Sequence, residues 1–198
     1  MWLKLATFGL LPVVLIQGTK VRSNTPHLPE ASGDREGKTG QGKPLSLLIL
    51  GDSAAAGVGV ENQQDALSGA IISELKTEYT LHWKLHAKTG DTTKQVYQAI
   101  QQLEPKKYDV VVTSVGVNDV TKLISAKTWI KQQKKLFSQI QNHFQTKLII
   151  VSGVSPMQHF HELPNPLAWL FGQYAEQMNQ TLKQWLAPQQ PFRCIEYD

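Results

Sequence analysis

Cysteine is almost absent from the sequence. Cys194 is the only one among 198 residues, so a single chain can form neither a disulfide nor a cysteine-built metal site. Runs of lysine or arginine interleaved with aromatic residues are also missing, although 20 basic residues outnumber 16 acidic ones and give a formal charge of +4. This dispersed charge argues against nucleic-acid binding, and we predict no nucleic-acid partner.

Long apolar runs are scarce as well, and the one that stands out lies at the N-terminus. Residues 5–16 carry no charge, with Lys4 before them and Pro12 inside them. This stretch has the shape of a signal sequence, and it falls short of the about 20 residues that a full membrane span needs. We predict that residues 1–18 form a secretion signal or short membrane anchor. The alternative is a hydrophobic helix docked on the domain.

Large apolar residues are rare in residues 19–44, which are rich in glycine, proline, serine, threonine and charge. This composition predicts a flexible linker. From residue 45 to residue 198, five apolar runs alternate with helical periodicity, and they lie at residues 45–50, 81–87, 109–115, 147–152 and 192–197. The pattern predicts one α/β domain with three layers, in which helices cover both faces of a doubly wound, five-stranded parallel sheet.

Polar residues follow the first three predicted strands. Ser53 comes after the first strand in Gly51-Asp52-Ser53, Gly90 follows the second, and Gly116-Val117-Asn118-Asp119 follows the third. Ligands of doubly wound sheets bind outside the carboxyl ends of the strands. We therefore expect these three loops to converge on one pocket.

Three better-known motifs do not fit the loop around Ser53. A phosphate-binding loop would need a lysine before its serine or threonine, and the loop has none. The dinucleotide fingerprint lacks its third glycine, because position 62 is Asn62. The pattern G-x-S-x-G would need a glycine where the chain has Ala55.

The combination of Gly51-Asp52-Ser53, Gly90 and Gly116-x-Asn118-Asp119 resembles the SGNH hydrolases, also called GDSL esterases and lipases, over about residues 45–197. Ala54 stands where the family name records leucine, as in a bacterial branch. The resemblance implies that Ser53 is the nucleophile. It also implies that the N–H groups of Ser53 and Gly90 and the side chain of Asn118 form the oxyanion hole.

The resemblance further implies a flavodoxin-like sheet and an enzyme that needs no cofactor or metal. Its substrate would be a carboxylic ester, either a lysophospholipid or a small acyl ester. Asp52 and Asp119 would organise the loops. Together with residues 1–18, the resemblance predicts an exported or membrane-associated protein of the bacterial periplasm or inner membrane.

The catalytic base that the resemblance implies is missing from the sequence. The family supplies a histidine from an Asp-x-x-His segment after the fifth strand, and no such segment occurs in the 198 residues. We expect a chain that lacks its C-terminal loop and helix and is nearly inactive as it stands. His159 or His161 could substitute as the base, although the loop of residues 157–167 is better explained as an apolar wall for the acyl chain.

The missing base leaves a second hypothesis open. The protein could be a catalytically dead, membrane-anchored protein that binds a lipid or glycan ester.

Overall fold

The computed structural model describes residues 2–197. Its helices are α1 (Trp2–Asn24), α2 (Ser53–Ala56), α3 (Leu67–Leu75), α4 (Thr93–Ile100), α5 (Val117–Thr121), α6 (Ala126–Phe144) and α7 (Leu167–Leu186). Its strands are β1 (Glu36–Thr39), β2 (Lys43–Gly51), β3 (Tyr79–Ala87), β4 (Val110–Ser114), β5 (Leu148–Ser152) and β6 (Phe192–Ile195). Short 3-10 turns lie at Gln63–Asp65 and Met157–His159.

The strands form one sheet of six strands in the order β1-β3-β2-β4-β5-β6. The five predicted strands are present and parallel, which confirms the α/β fold class. The prediction of an entirely parallel, five-stranded sheet is wrong at one edge, where β1 pairs antiparallel with β3. Its residues, Glu36-Gly37-Lys38-Thr39, include no large apolar side chain, so hydrophobic patterning could not reveal this strand.

The core lies on both faces of the central strand β2. Leu48 and Leu50 pack on one face against side chains of α4, α6 and α7. Leu47 and Ile49 pack on the other face against α2 and α3. Alternate residues of a strand point to opposite faces, and both faces of β2 are buried. This is why the sequence of the strand is a continuous apolar run. Because helices cover both faces of the sheet, the loops that connect strands and helices lie at the two ends of the sheet.

Helix α1 docks on α7 in the structure. Leu3 and Val14 are buried in the core, and the Gln17 side chain donates to the Asn165 carbonyl at 2.7 Å and accepts from the Leu167 N–H at 3.1 Å. By length and composition α1 could also cross a membrane, a test that signal sequences and buried core helices pass too. The division into residues 1–18, 19–44 and 45–198 stays a prediction, although α1 extends to Asn24 and β1 lies within residues 19–44.

Candidate active site

Ser53 is the first residue of α2, directly beyond the end of β2. Asp52 caps this helix, because its carboxylate accepts a hydrogen bond from the Ala54 N–H at 3.1 Å. Gly51 allows the tight turn: a Cβ there would lie 2.3 Å from the Ser114 carbonyl oxygen and 2.6 Å from the Ala55 Cβ. The fold therefore presents Ser53, which is partly exposed, at the carboxyl end of the central strand.

Gly90 lies in the turn that follows β3. The turn closes with a hydrogen bond from the Asp91 N–H to the Lys88 carbonyl at 3.2 Å. Gly90 has a φ of 87° in this turn, a left-handed conformation that favours glycine. A Cβ at Gly90 would meet no atom within 4 Å, so this part of the backbone borders open space.

Asn118 links the three loops. It lies in α5, directly after β4, and its side-chain amide donates to the carbonyl oxygen of Asp91 at 3.1 Å and to the Asp52 carboxylate at 3.4 Å. Asp91 follows Gly90 in the chain, and Asp52 precedes Ser53. The structure thus brings together the loops of Ser53, Gly90 and Asn118 at one end of the sheet, where the sequence placed them.

Two N–H groups at this site remain available. Neither the Ser53 N–H nor the Gly90 N–H takes part in the hydrogen bonds of residues 2–197. For Ser53 this follows from its place in the first turn of a helix, where N–H groups have no intrahelical partner. Both N–H groups can therefore donate to a bound ligand.

Asp52 and Asp119 are both buried beneath the site, each with 1% of its surface exposed. Burial raises the pKa of Asp52 to about 6, and the nearby Asp119 charge also raises it, against hydrogen bonds from Ala54 and Gly116 that lower it. Burial likewise raises the pKa of Asp119, against hydrogen bonds from Thr93. Two carboxyl groups therefore lie beneath the site, and burial disfavours the charged form of each.

Thr93 joins Asp119 to the core, a role that the sequence did not reveal. Its fully buried hydroxyl donates to Asp119 Oδ2 at 3.0 Å and accepts from Trp129 Nε1 at 3.0 Å and Gln133 Nε2 at 3.3 Å. The Thr93 N–H also donates to Asp119 Oδ2, at 2.9 Å. This network fixes the start of α4 against α5 and α6. Its members lie far apart in the chain, and no sequence pattern links them.

The histidines are arranged differently from a serine triad. Within residues 2–197, no histidine ring is hydrogen-bonded to the Ser53 hydroxyl. His159 and His161 are exposed, and the His159 ring contacts the Gln158 amide at 3.4 Å. In the same part of the chain, the structure holds no group of three His, Cys, Asp or Glu side chains that could bind a metal ion.

The predicted apolar wall is only partly available to a ligand. Met157 and Leu167 are buried in the core at 2% and 1% exposure, whereas Phe160 is 38% exposed. The sequence marked all of them as apolar, but it could not separate core residues from surface residues in a loop without periodicity.

Comparison with known proteins places this geometry in a family. The model of the GDSL-like lipase/acylhydrolase family matches residues 49–192, a range that includes Ser53, Gly90 and Asn118. No curated protein matches the chain.

Solved structures share the fold at low sequence identity. A member of the lipolytic G-D-S-L family from Veillonella parvula is 12% identical, with 76% of each chain covered and a TM-score of 0.61. The extracellular lipase of Streptomyces rimosus is 14% identical over 77% of this chain and 80% of that one, with a TM-score of 0.59. AlinE4, an SGNH-hydrolase family esterase, is 18% identical over 78% and 77%, with a TM-score of 0.57.

These structural likenesses establish the fold, and the family model, which covers most of the chain, establishes the kinship. The chain belongs to the GDSL-like lipase/acylhydrolase family of esterases and lipases.

Proposed function

We propose that the protein is a serine esterase that hydrolyses carboxylic esters through an acyl-enzyme on Ser53. The observation that carries the proposal is the position of Asn118, whose amide contacts the residues next to Ser53 and Gly90. The Ser53 and Gly90 N–H groups and, once its bond to Asp52 is exchanged, the Asn118 amide would supply three donors for an oxyanion. Preorganised donors of this kind are a large source of rate enhancement in acyl transfer, worth about 3 to 4 kcal/mol each.

The proposed reaction begins when Ser53 Oγ attacks the ester carbonyl carbon while a base takes the hydroxyl proton. The carbonyl oxygen becomes an oxyanion that accepts hydrogen bonds from the Ser53 and Gly90 N–H groups and the Asn118 amide. The C–O bond to the alcohol then breaks, and the alcohol leaves with the proton. Water hydrolyses the acyl-Ser53 ester by the same steps and releases the carboxylic acid.

Asn118 would have to exchange one hydrogen bond during this reaction. Its contact with Asp52 measures 3.4 Å, whereas its contact with the Asp91 carbonyl measures 3.1 Å. The longer bond is the weaker one, so it is the bond that an oxyanion would replace. The bond to Asp91 would keep the amide beside Gly90.

The test is hydrolysis of p-nitrophenyl butyrate together with covalent labelling by a fluorophosphonate. We expect Ser53→Ala to abolish both turnover and labelling, and Ser73→Ala, which alters an exposed serine on α3, to leave both unchanged. If Ser53→Ala hydrolysed the ester at the parent rate, the assignment of the nucleophile would be wrong.

The base of the proposed reaction is assigned by the same assay. The family resemblance implies a histidine from an Asp-x-x-His segment, and His159 and His161 are the substitutes that lie after β5. His159→Ala or His161→Ala should lower turnover if one of these residues is the base. Unchanged turnover in both variants would exclude them.

A second function is favoured by one observation, the lack of a histidine bonded to Ser53 within residues 2–197. A protein without a base would bind a lipid or glycan ester and release it unchanged. Loss of the histidine of a serine triad costs on the order of a millionfold in turnover. Saturable binding of an ester without acid release or fluorophosphonate labelling would support this binder over the esterase.

The proposal extends to location and substrate. We infer an exported or membrane-associated protein, because the outward face of α1 exposes Leu5, Phe8, Leu15 and Ile16 to solvent by 59% to 81%. Residues 1–29 include Lys4, Lys20 and Arg22 and no acidic residue, which suits an anionic membrane surface. A lysophospholipid or small acyl ester from a bacterial envelope would match this location.

A further inference from the structure

We propose that Glu30 and Arg35 are positioning residues that hold the Gly90 turn in place for catalysis. Both residues belong to the segment 30–35, which precedes β1 in the chain. The inference rests on the proposed function, because it assigns a role in the oxyanion hole. It adds two residues that neither the GDSL motif nor the family resemblance includes.

The two side chains bind the backbone on the N-terminal side of Gly90, at residues 87 and 89. Glu30 Oε1 accepts a hydrogen bond from the Thr89 N–H at 2.7 Å, and Glu30 Oε2 accepts one from Arg35 Nη2, also at 2.7 Å. The Arg35 guanidinium donates in turn to the Ala87 carbonyl at 2.9 Å. The residue before Gly90 and the last residue of β3 are therefore held by one ion pair.

The backbone of the same segment fixes this ion pair. The Arg35 carbonyl accepts from the Leu85 N–H at 2.6 Å, which attaches the segment to β3. At the other end, Ala31 is buried, and its carbonyl accepts from the Gln63 side chain at 3.1 Å. Glu30 directly precedes the first of these attached points, Ala31, which limits the movement of its carboxylate.

Segment 30–35 also contacts the helix of the nucleophile. The Gln63 amide that binds the Ala31 carbonyl donates to the Ala56 carbonyl at 2.9 Å, and Ala56 is the last residue of α2. A Cβ on Gly57, the cap of that helix, would lie 2.7 Å from the Ala31 Cβ. The segment therefore contacts both the element that carries Ser53 and the turn that carries Gly90.

Charge strengthens the contact with the turn. Hydrogen bonds with an ionised acceptor are shorter and stronger than neutral ones. Burial raises the pKa of Glu30, but the hydrogen bonds from Thr89 and Arg35 and the Arg35 charge outweigh it and leave that pKa lowered. Glu30 is consequently ionised at neutral pH, and Arg35 can bond the carboxylate and a carbonyl at once through its planar fork.

The tests use Glu30→Gln and Arg35→Lys in the full chain, with Glu36→Gln as the matched control. Glu36 forms an ion pair of similar length with Lys84, at 2.9 Å, on the same edge of the sheet but without contact to the turn. In Glu30→Gln only one of the two side-chain atoms can still accept, so either the Thr89 N–H or the Arg35 guanidinium loses its acceptor. In Arg35→Lys the planar guanidinium is lost, and with it the geometry that bonds Glu30 and the Ala87 carbonyl at once.

We expect kcat and the rate of fluorophosphonate labelling to fall about tenfold in both variants, with KM within about twofold, since small misplacements of catalytic groups are costly. Glu36→Gln should match the parent protein. Hydrogen exchange at residues 87–91 should accelerate about tenfold in the two variants and stay unchanged in the control.

Each result decides the proposal. Parent-like exchange and kcat in Glu30→Gln would overturn it, as would a loss confined to KM. If the parent protein neither hydrolyses esters nor labels, the proposed function fails, and exchange at residues 87–91 alone then decides whether Glu30 and Arg35 hold the turn.

Discussion

The Asn118 side-chain amide donates to the Asp91 carbonyl across 3.1 Å, and this bond joins two loops that follow different strands. It is a bond between side chain and backbone, so its length depends on the position of the Gly90 turn as well as on α5. The hydrogen bond therefore connects the Asn118 amide to the turn of Gly90, and both are proposed oxyanion donors, before any substrate binds.

Asn118→Ala should lower kcat about 100-fold or more and change KM little, because a donor that acts on the oxyanion stabilises the transition state more than the substrate. Ester hydrolysis at several substrate concentrations measures this. Asn142→Ala, the same change at an exposed position of α6, should leave kcat unchanged. A rise in KM alone would show that Asn118 only binds substrate.

Asp52→Asn should alter how stability depends on pH. The pKa of Asp52 is raised from 3.8 to about 6 by burial, so the native protein favours the protonated form and loses stability as the pH rises through about 6. This rise corresponds to about 3 kcal/mol. Urea unfolding should be measured from pH 4 to pH 8. As the pH rises, the free energy of unfolding of the variant should increase relative to that of the parent protein.

Asp109→Asn provides a control with the opposite slope. Hydrogen bonds from the Ser46 hydroxyl and N–H lower the pKa of Asp109, so its ionised form stabilises the native state and this contribution is lost as the pH falls. The variant should be less stable than the parent at neutral pH, and the gap should close in acid. If the free energy of unfolding depended on pH in the same way in both variants, the raised pKa assigned to Asp52 would be wrong.

Thr93→Val should destabilise the fold by about 3 kcal/mol, because it leaves the Trp129 and Gln133 donors buried without their acceptor and removes a donor to Asp119. Thr93→Ser keeps the hydroxyl and should cost clearly less. Unfolding free energies from urea titrations separate the two. A valine variant as stable as the serine variant would show that the network contributes little.

Phe8→Asp combined with Ile16→Asp should weaken sedimentation of the full chain with phosphatidylglycerol-containing vesicles at least about tenfold, since each large apolar side chain contributes roughly 1.5 to 3 kcal/mol when buried. Phe8 is 81% exposed and Ile16 is 70% exposed in α1. Leu28→Asp, an exposed apolar position outside α1, is the control. Equal sedimentation of all three proteins would exclude α1 as a membrane contact.

The central strand β2 could be predicted because a strand buried on both faces must be apolar throughout, as in Leu47-Leu48-Ile49-Leu50. The loops of Ser53, Gly90 and Asn118 could be placed together for a related reason. Parallel strands end at the same edge of the sheet, so polar residues after each strand become neighbours without any pattern that links them directly.

Strand β1 and the Glu30–Arg35 pair could not be predicted in the same way. The four residues of β1 contribute backbone hydrogen bonds, which any sequence can supply. Glu30 and Arg35 are polar residues in a polar segment, and their partners Thr89 and Ala87 lie more than 50 positions away. The proposed role of Glu30 and Arg35 depends on tertiary contacts, which cannot be predicted from the composition of the segment.

The antiparallel pairing of β1 with β3 has a consequence for solubility. Without β1, the nine residues of β3 would present free N–H and C=O groups along one side of the sheet, a template for pairing with another chain. β1 is short, and Glu36 and Lys38 place charges of both signs along it. Such edges discourage further strands from adding, so we expect residues 36–39 to protect the protein against aggregation.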